Sequence, residues 1–288
     1  MMKNSWGDIF FTIPQYIFPQ HLLSRLVLKL TRLQMGGITH WVIRRFIKSY
    51  GVNMSIALPS DIHEYTSFNQ FFTRALKSTA RPLAAIDIIS PVDGEISQIG
   101  QIDNGSLLQA KNRYFQLNEL LGGQTEMTNL FKQGLFCTLY LSPKDYHRIH
   151  MPVTGHLTDM VYVPGRLFSV NRRTTRVVPN LFARNERVIC LFETKLGPLA
   201  LILVGAFFVG SMETVWAGSV TPSRLSQILH WHYSSNKAPV LQQGAEMGRF
   251  NMGSTVIVLL DAKHVAWLPS LGTQNKVLMG EGLAQRLC

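Results

Sequence analysis

The chain has 288 residues, of which 46% are hydrophobic and 16% charged. It can bury a sizeable core, and it is not a disordered, collagen-like or coiled-coil chain. Lys and Arg outnumber Asp and Glu by 28 to 17, and the net charge of +11 points to an anionic partner: nucleic acid, an acidic lipid surface or a phosphorylated substrate. Cys137, Cys190 and Cys288 are too few and too scattered for a disulfide scaffold or a zinc site and read as free thiols in a reducing compartment.

Residues 1–50 hold Lys3, Arg25, Lys29, Arg32, Arg44, Arg45 and Lys48 against one acid, Asp8, so more than half of the net charge sits in the first sixth of the chain. Phe10, Phe11, Ile13, Tyr16, Ile17 and Phe18 precede Pro19 and a segment with helical periodicity. There Leu22, Leu23, Leu26, Leu30 and Leu33 line one face beside a stripe of Arg25, Lys29 and Arg32. Trp41, Val42, Phe46 and Ile47 repeat the pattern among Arg44, Arg45 and Lys48. Two readings compete. The helices pack their apolar faces on a core and expose basic faces, or they lie in a membrane interface with basic side chains at anionic headgroups. Zinc-finger spacing, an RNP-type aromatic motif and a long Lys/Arg run are all missing from the sequence, so no nucleic-acid partner is expected.

The apolar start is broken by Asp8, Pro14, Gln15 and Pro19, unlike a secretory signal. The longest uncharged stretch, Leu196 to Met212, contains Gly197, Pro198, Gly205 and Gly210 and reads as one or two buried strands rather than a spanning helix. After about residue 65 short apolar runs alternate with Gly, Pro and Asn. Strands are expected at Ile86–Ile89, Gly94–Ile99, Leu135–Leu141, Val188–Phe192, Leu199–Val204 and Thr255–Leu260, and a helix at Phe68–Leu76. The fold class is α+β: a basic amphipathic helical region over residues 1–65, then a mainly β, catalytic-sized domain over residues 66–288.

The densest polar cluster, Ser142-Pro143-Lys144-Asp145-Tyr146-His147-Arg148-Ile149-His150, follows an apolar strand. Its histidines could pair on a metal, but no third ligand is fixed, and no metal site is expected. Imidazoles could also do acid–base work. The residues alone favour a hydrogen-bonded pair at a strand end. Ser90-Pro91-Val92-Asp93-Gly94 reads as a turn, although a buried Asp there could orient a histidine. Gly253-Ser254-Thr255 leads into an apolar run, but Gly-Ser also occurs at Gly105-Ser106, Gly210-Ser211 and Gly218-Ser219, so the dipeptide identifies nothing by itself. The Gly-x-Ser-x-Gly elbow of α/β-hydrolases is absent around Ser254.

Five blocks in order change this: SPVDGEI (Ser90–Ile96), YLSPKDYHRIHMPVTG (Tyr140–Gly155), NLFARNERV (Asn180–Val188), VGSMETVWAG (Val209–Gly218) and GAEMGRFNMGSTVIVL (Gly244–Leu259). Together they resemble the bacterial-type phosphatidylserine decarboxylases, a pyruvoyl-dependent family. The basic N-terminus resembles that family's membrane-associating region in character. The family cuts itself at the Gly-Ser bond of an LGST motif. Here the motif reads Met252-Gly253-Ser254-Thr255, where Met for Leu conserves apolar volume.

The resemblance implies a cut between Gly253 and Ser254, giving a β chain 1–253 and an α chain 254–288 that stay associated. It implies Asp93, His150 and Ser254 as the self-cleaving triad. His150 would be the base for Ser254, and Asp93 would hold the ring. Ester elimination would leave dehydroalanine at 254, and hydrolysis would then give a pyruvoyl cofactor. The pyruvoyl ketone would form a Schiff base with phosphatidylserine and accept the electron pair left by departing CO₂, yielding phosphatidylethanolamine. His147 is the family's candidate for the decarboxylation step, with His150 a proton donor. The same resemblance implies a peripheral protein on the cytoplasmic face of the cell membrane. The competing readings are a pyruvoyl decarboxylase of another amine, a basic membrane-binding protein without catalysis, and a serine hydrolase. Met279-Gly280-Glu281-Gly282, near the C-terminus, resembles the family only loosely and is assigned no role.

Overall fold

Runs rich in Val, Ile and Leu, buried on both faces, build the centre of an antiparallel sheet. The computed structural model describes residues 6–110, 113–208, 211–221, 226–234 and 238–287; Lys3, Gly210 and Cys288 lie outside them. Among the described residues the main sheet has nine strands. Its order is Leu229–His232, Gly155–Val163, Arg187–Thr194, Gly197–Val204, Thr255–Leu260, Leu135–Tyr140, Gly94–Gln101 and Lys276–Val277, with Val240–Leu241 also on Gly155–Val163. Thr255–Leu260 sits mid-sheet with every residue buried, Thr255 facing Val204 on one side and Tyr140 on the other. At roughly 1.5–3 kcal/mol per fully buried Val, Leu or Ile, this strand is among the most firmly held parts of the molecule.

A second sheet runs Gly218–Ser219, Met212–Thr214, Glu246–Phe250, Arg148–His150. Two connections pass from one sheet to the other: Leu141 to His147 links Leu135–Tyr140 to Arg148–His150, and Asn251 to Ser254 links Glu246–Phe250 to Thr255–Leu260. Their flanking strands pair in both sheets (Thr255 with Tyr140, Arg249 with Arg148), so the connections must run side by side. A three-stranded sheet of Val265–Trp267, Gly282–Arg286 and Ile88–Ile89 ties the C-terminus to the segment before Asp93.

The molecule is α+β, as expected, and the six expected strands form, Ile86–Ile89 shrinking to Ile88–Ile89. The Leu196 to Met212 stretch yields the buried strand Gly197–Val204 and the start of Met212–Thr214. Phe68–Leu76 is only half right. The helix stops at Phe72, Arg74 N turns back to the Phe71 carbonyl, and Ala75–Leu76 pairs with Ala57–Leu58. The nine-residue strand Gly155–Val163 was not expected; its His156, Thr158 and Asp159 break up the apolar run.

The N-terminal helices, Trp6–Thr12, Pro14–Ile17, Gln20–Thr31 and Gly37–Tyr50, are built the other way round. Their buried residues are Asp8, Thr12, Gln15, Gln20, Ser24 and Thr39, with Ile43 the one apolar member. Leu22 (66% exposed), Leu26, Leu30 and Leu33 point outward, as do Phe10, Ile17, Ile38 and Trp41. Three of these polar inner residues make specific bonds to the body. Gln15 Oε1 accepts from Ser169 N at 2.9 Å, Gln20 Oε1 from Leu167 N at 2.8 Å, and Arg176 Nη2 meets Asp8 Oδ2 at 2.8 Å. The first of the two readings, apolar faces packed on the core, therefore fails for Gln20–Thr31. The last helix does bury one edge, where Ile43 meets Val52, Tyr65 and Phe71 in a small second core. No helix among the described residues is long and apolar enough to cross a membrane.

Candidate active site

The two side-by-side connections carry Gly253-Ser254 on one and His147 on the other. Leu141 N donates to the Ser254 carbonyl at 3.0 Å, and Phe250 N to the His147 carbonyl at 3.0 Å, which locks the connections together. A Cβ at Gly253 would stand 3.6 Å from His147 Cε1 and 3.5 Å from the Leu141 carbonyl oxygen, so this histidine lies against the glycine. Ser254 is fully buried, and its Oγ has no hydrogen-bond partner among the described residues.

His147 is also fully buried. Phe72 stacks on its ring at 4.2 Å between centroids, and neither ring nitrogen completes a hydrogen bond among the described residues. Burial drives its pKa down from 6.5 to about 3, with the Arg74 cation pushing the same way and the nearby Pro143 and Ser142 backbone opposing. It is therefore a neutral imidazole at physiological pH.

His150 ends the strand Arg148–His150. Its Nδ1 lies 2.7 Å from the Gly244 carbonyl, which can only accept, so Nδ1 carries the proton. Nε2 is then the acceptor for the Tyr146 hydroxyl at 2.9 Å. Burial lowers the pKa of His150 as well. This is the tautomer of a base, with its lone pair occupied by a tyrosine proton.

Asp93 is buried at the end of the Ser90-Pro91-Val92 turn. Its carboxylate takes a bidentate grip from Arg81, with Nε to Oδ1 at 2.8 Å and Nη2 to Oδ2, and a third bond from Met279 N at 2.9 Å. The following Gly94 is required by close approach, since a Cβ there would fall 2.6 Å from the Tyr140 carbonyl oxygen. Asp93 and His150 share this corner, His150 N bonding the Pro91 carbonyl at 2.8 Å, but their side chains do not meet. Of the four expected side chains, the structure sets His147 against Gly253, the residue before Ser254, and holds Asp93 and His150 on other partners.

Several participants were not anticipated. Arg81, Tyr146, Gly244 and Met279 hold Asp93 and His150, and all but Tyr146 come from sequence too distant for spacing to reveal. Met279 belongs to the C-terminal segment that had been given no role; Gly280 N also bonds the Ser90 carbonyl. The helix Phe68–Phe72 supplies Phe72 to His147 and Asn69 to Asn251, whose amide is 3.0 Å from Asn251 Oδ1. Phe46 of the helix Gly37–Tyr50 packs edge-on against Phe72 at 6.1 Å, so the site lies directly behind an outward-facing apolar helix. The signal that could have found two of these participants is the blocks themselves, since Tyr146 lies within YLSPKDYHRIHMPVTG and Gly244 opens GAEMGRFNMGSTVIVL. Cys137 and Cys190 are free, as expected, and buried strand residues whose thiol pKa values burial raises. Among the described residues no cluster of His, Cys, Asp and Glu could hold a metal.

The likeness to known proteins covers nearly all of the chain. A family model described as phosphatidylserine decarboxylase matches residues 68–285, and a second, described as PSD, matches residues 10–51. The phosphatidylserine decarboxylase proenzyme of Bordetella pertussis is 53% identical over 284 residues, covering 96% of this chain and 94% of that one. Those of Variovorax paradoxus (51% over 272 residues; 94% and 96%) and Pseudomonas putida (51% over 278; 96% and 97%) are comparably close. The chain belongs to the phosphatidylserine decarboxylase family and is a decarboxylating enzyme of that family.

Proposed function

We propose that this protein cuts itself between Gly253 and Ser254 and then converts phosphatidylserine to phosphatidylethanolamine and CO₂ at a membrane surface. The observation that carries the reading is the seat of Ser254: a buried hydroxyl with no partner among the described residues, next to Gly253 and a neutral histidine. Most buried hydroxyls are hydrogen-bonded, and of the unpaired ones among the described residues (Ser24, Thr138, Ser254 and Thr255) Ser254 is the one that directly follows Gly253 at the face of His147. A serine destined to become a pyruvoyl group has no such need, so these surroundings fit that group, which when formed supplies the electron sink for decarboxylation.

In this reading Ser254 Oγ is the nucleophile and His150 Nε2 the base, which must first let go of the Tyr146 hydroxyl. Asp93, oriented by Arg81 and Met279 N, supplies negative charge at the same corner. His147, uncharged in its apolar seat, serves the later decarboxylation. The severed chains 1–253 and 254–288 would remain together because Thr255–Leu260 is paired on both edges and Gly282–Arg286 is paired with Ile88–Ile89.

The inverted helices support the lipid surface as the place of work. Exposed leucines and aromatics gain only by entering an apolar phase, and Arg25, Lys29, Arg44, Arg45 and Lys48 lie exposed beside them to meet anionic headgroups. The test is an intact mass spectrum of denatured protein together with release of CO₂ from carboxyl-labelled phosphatidylserine in vesicles. Two chains with a blocked terminus on residues 254–288, and labelled CO₂, are expected. A single 288-residue species with no release would leave a membrane-binding protein without catalysis.

A further inference from the structure

Against the connection that carries His147 lies a cation with two unpaired nitrogens. Arg74 is 4% exposed, and its Nε and Nη1 have no hydrogen-bond partner among the described residues. Its other contacts are one Nη2 bond to the Lys144 carbonyl at 3.2 Å and the Phe71 ring, 5.3 Å from the guanidinium carbon. Asp93, Asp145, Tyr65 and Tyr146 act on it through space without bonding to it. Asp93 is committed to Arg81, and Asp145 to the Ser142 amide and hydroxyl at 2.7 Å each. A buried guanidinium with two idle nitrogens is costly, and replacing it with an apolar side chain would ordinarily stabilise the fold. The neighbouring His147 nitrogens and Ser254 Oγ are also idle. Arg74, Ser254 Oγ and one nitrogen of the neutral His147 can each donate a hydrogen bond, and what the Arg74 fork lacks is an acceptor.

We propose that Arg74 is the binding residue for an oxyanion that the uncut chain does not yet contain, the first being the carboxylate created at Gly253 by self-cleavage. This rests on the self-cleavage reading above. In that chemistry Ser254 Oγ adds to the Gly253 carbonyl carbon, the C–N bond breaks, and an ester joins Gly253 to Oγ. Removal of the Ser254 α-proton then breaks the Cβ–Oγ bond, and its electron pair leaves on the Gly253 carboxylate. Dehydroalanine remains at 254, and water replaces its nitrogen, released as ammonia. A full negative charge thus appears on a buried group beside His147, where a forked donor stabilises it most. A guanidinium there favours the elimination because the charge it stabilises is that of the leaving group. The anionic substrate carries the same chemistry and is the second source of an oxyanion for the same fork.

Full-length Arg74→Gln and Arg74→Lys separate the sources. If the fork serves the Gly253 carboxylate, self-cleavage of Arg74→Gln slows by roughly a hundredfold, and Lys, which keeps charge without the fork, recovers part of it. If the fork serves the substrate, cutting is normal and KM for phosphatidylserine in mixed micelles rises tenfold or more at similar kcat. Either result supports the oxyanion site. Arg74→Met in an uncut Ser254→Ala chain guards against a structural role: its thermal midpoint should equal or exceed that of its parent, and a fall of many degrees would overturn the proposal. So would an Arg74→Gln protein that cuts and turns over like wild type. A wild-type chain that neither cuts nor releases CO₂ would remove the parent reading together with this one, and is recognised without any variant.

Discussion

The β body and the N-terminal helices solve opposite problems with the same residue types. In the body Val256, Ile257, Val258 and Leu259 are fully buried between paired strands, and in the helix Gln20–Thr31 it is Gln20 and Ser24 that turn inward while Leu22, Leu26 and Leu30 face out. The body is held by removing apolar surface from water. The first three helices are held to it chiefly by directed polar contacts at Asp8, Gln15, Gln20 and His21, with Tyr16 against Phe168 at 4.8 Å, and leave most of their apolar surface exposed. The lesson is that an amphipathic helix does not announce which of its faces the protein will keep.

Chemistry and docking should therefore be separable, and the largest expected effect is on the chemical side. Ser254→Ala should abolish self-cleavage altogether, leaving one 288-residue chain by mass spectrometry. The same variant should sediment with anionic vesicles as wild type does, because its helices are untouched. Loss of vesicle binding in Ser254→Ala would break the division between the two regions.

The converse variant acts on the helices. Reversing Arg25, Lys29 and Arg32 to Glu removes about 1 kcal/mol of attraction per residue at an acidic surface and adds repulsion, so the vesicle partition constant should fall by more than a hundredfold. Arg32 also gives up its 3.0 Å pair with Glu213, which is largely exposed and contributes little. Self-cleavage should proceed at the wild-type rate. Unchanged sedimentation at low salt would count against the outward face as the membrane contact.

These contrasts also mark what the sequence made legible. The central strands could be read because Val, Ile and Leu runs bounded by Gly and Pro have few other uses. Gly155–Val163 could not, because His156 and the adjacent pair Thr158-Asp159 interrupt the apolar run and break the two-residue alternation that would mark a strand. Helix periodicity was legible while its direction was not, since Leu22, Leu26, Leu30 and Leu33 make the same stripe whichever way it faces. Among four Gly-Ser pairs, only resemblance to a family singled out Ser254. The grip of Arg81 on Asp93, and the Met279 amide that completes it, depend on contacts across up to 186 residues of sequence, which no spacing rule reaches.

A smaller effect, confined to the body, follows from the titration of His147. Its pKa is depressed in the fold, to about 3 from 6.5, so the unfolded chain binds more protons between those values. Stability from this group is complete above pH 6.5 and is lost as pH falls toward 3, at about 1.4 kcal/mol per unit. In a Ser254→Ala chain, adding His147→Gln should flatten the stability–pH curve, making the acid loss between pH 6.5 and 4.5 smaller by roughly 2–3 kcal/mol. Urea melts at three pH values measure this. Parallel curves for the two proteins would mean that His147 is solvated in the native state.

The smallest effect is also the most local. The Gln20 carboxamide is buried and used at both ends: Oε1 accepts from Leu167 N at 2.8 Å and Nε2 donates to the Gln15 carbonyl at 2.6 Å. Gln20→Ala leaves a buried amide and a buried carbonyl without partners, which costs about 1–3 kcal/mol for the group that cannot reach water. The body is joined by hundreds of square ångströms of apolar contact elsewhere (on the order of 25 cal/mol per Å²) and should keep its melting temperature within a degree or two. The cost should therefore fall on the docking of Gln20–Thr31, seen as faster amide exchange across residues 14–31 and at Leu167 while Thr255–Leu260 stays protected. Gln20→Leu sharpens the point, because an apolar side chain of similar size would strengthen a helix held by hydrophobic burial. Here it should loosen the helix as Ala does, since the inner face is held by the polarity that leucine lacks.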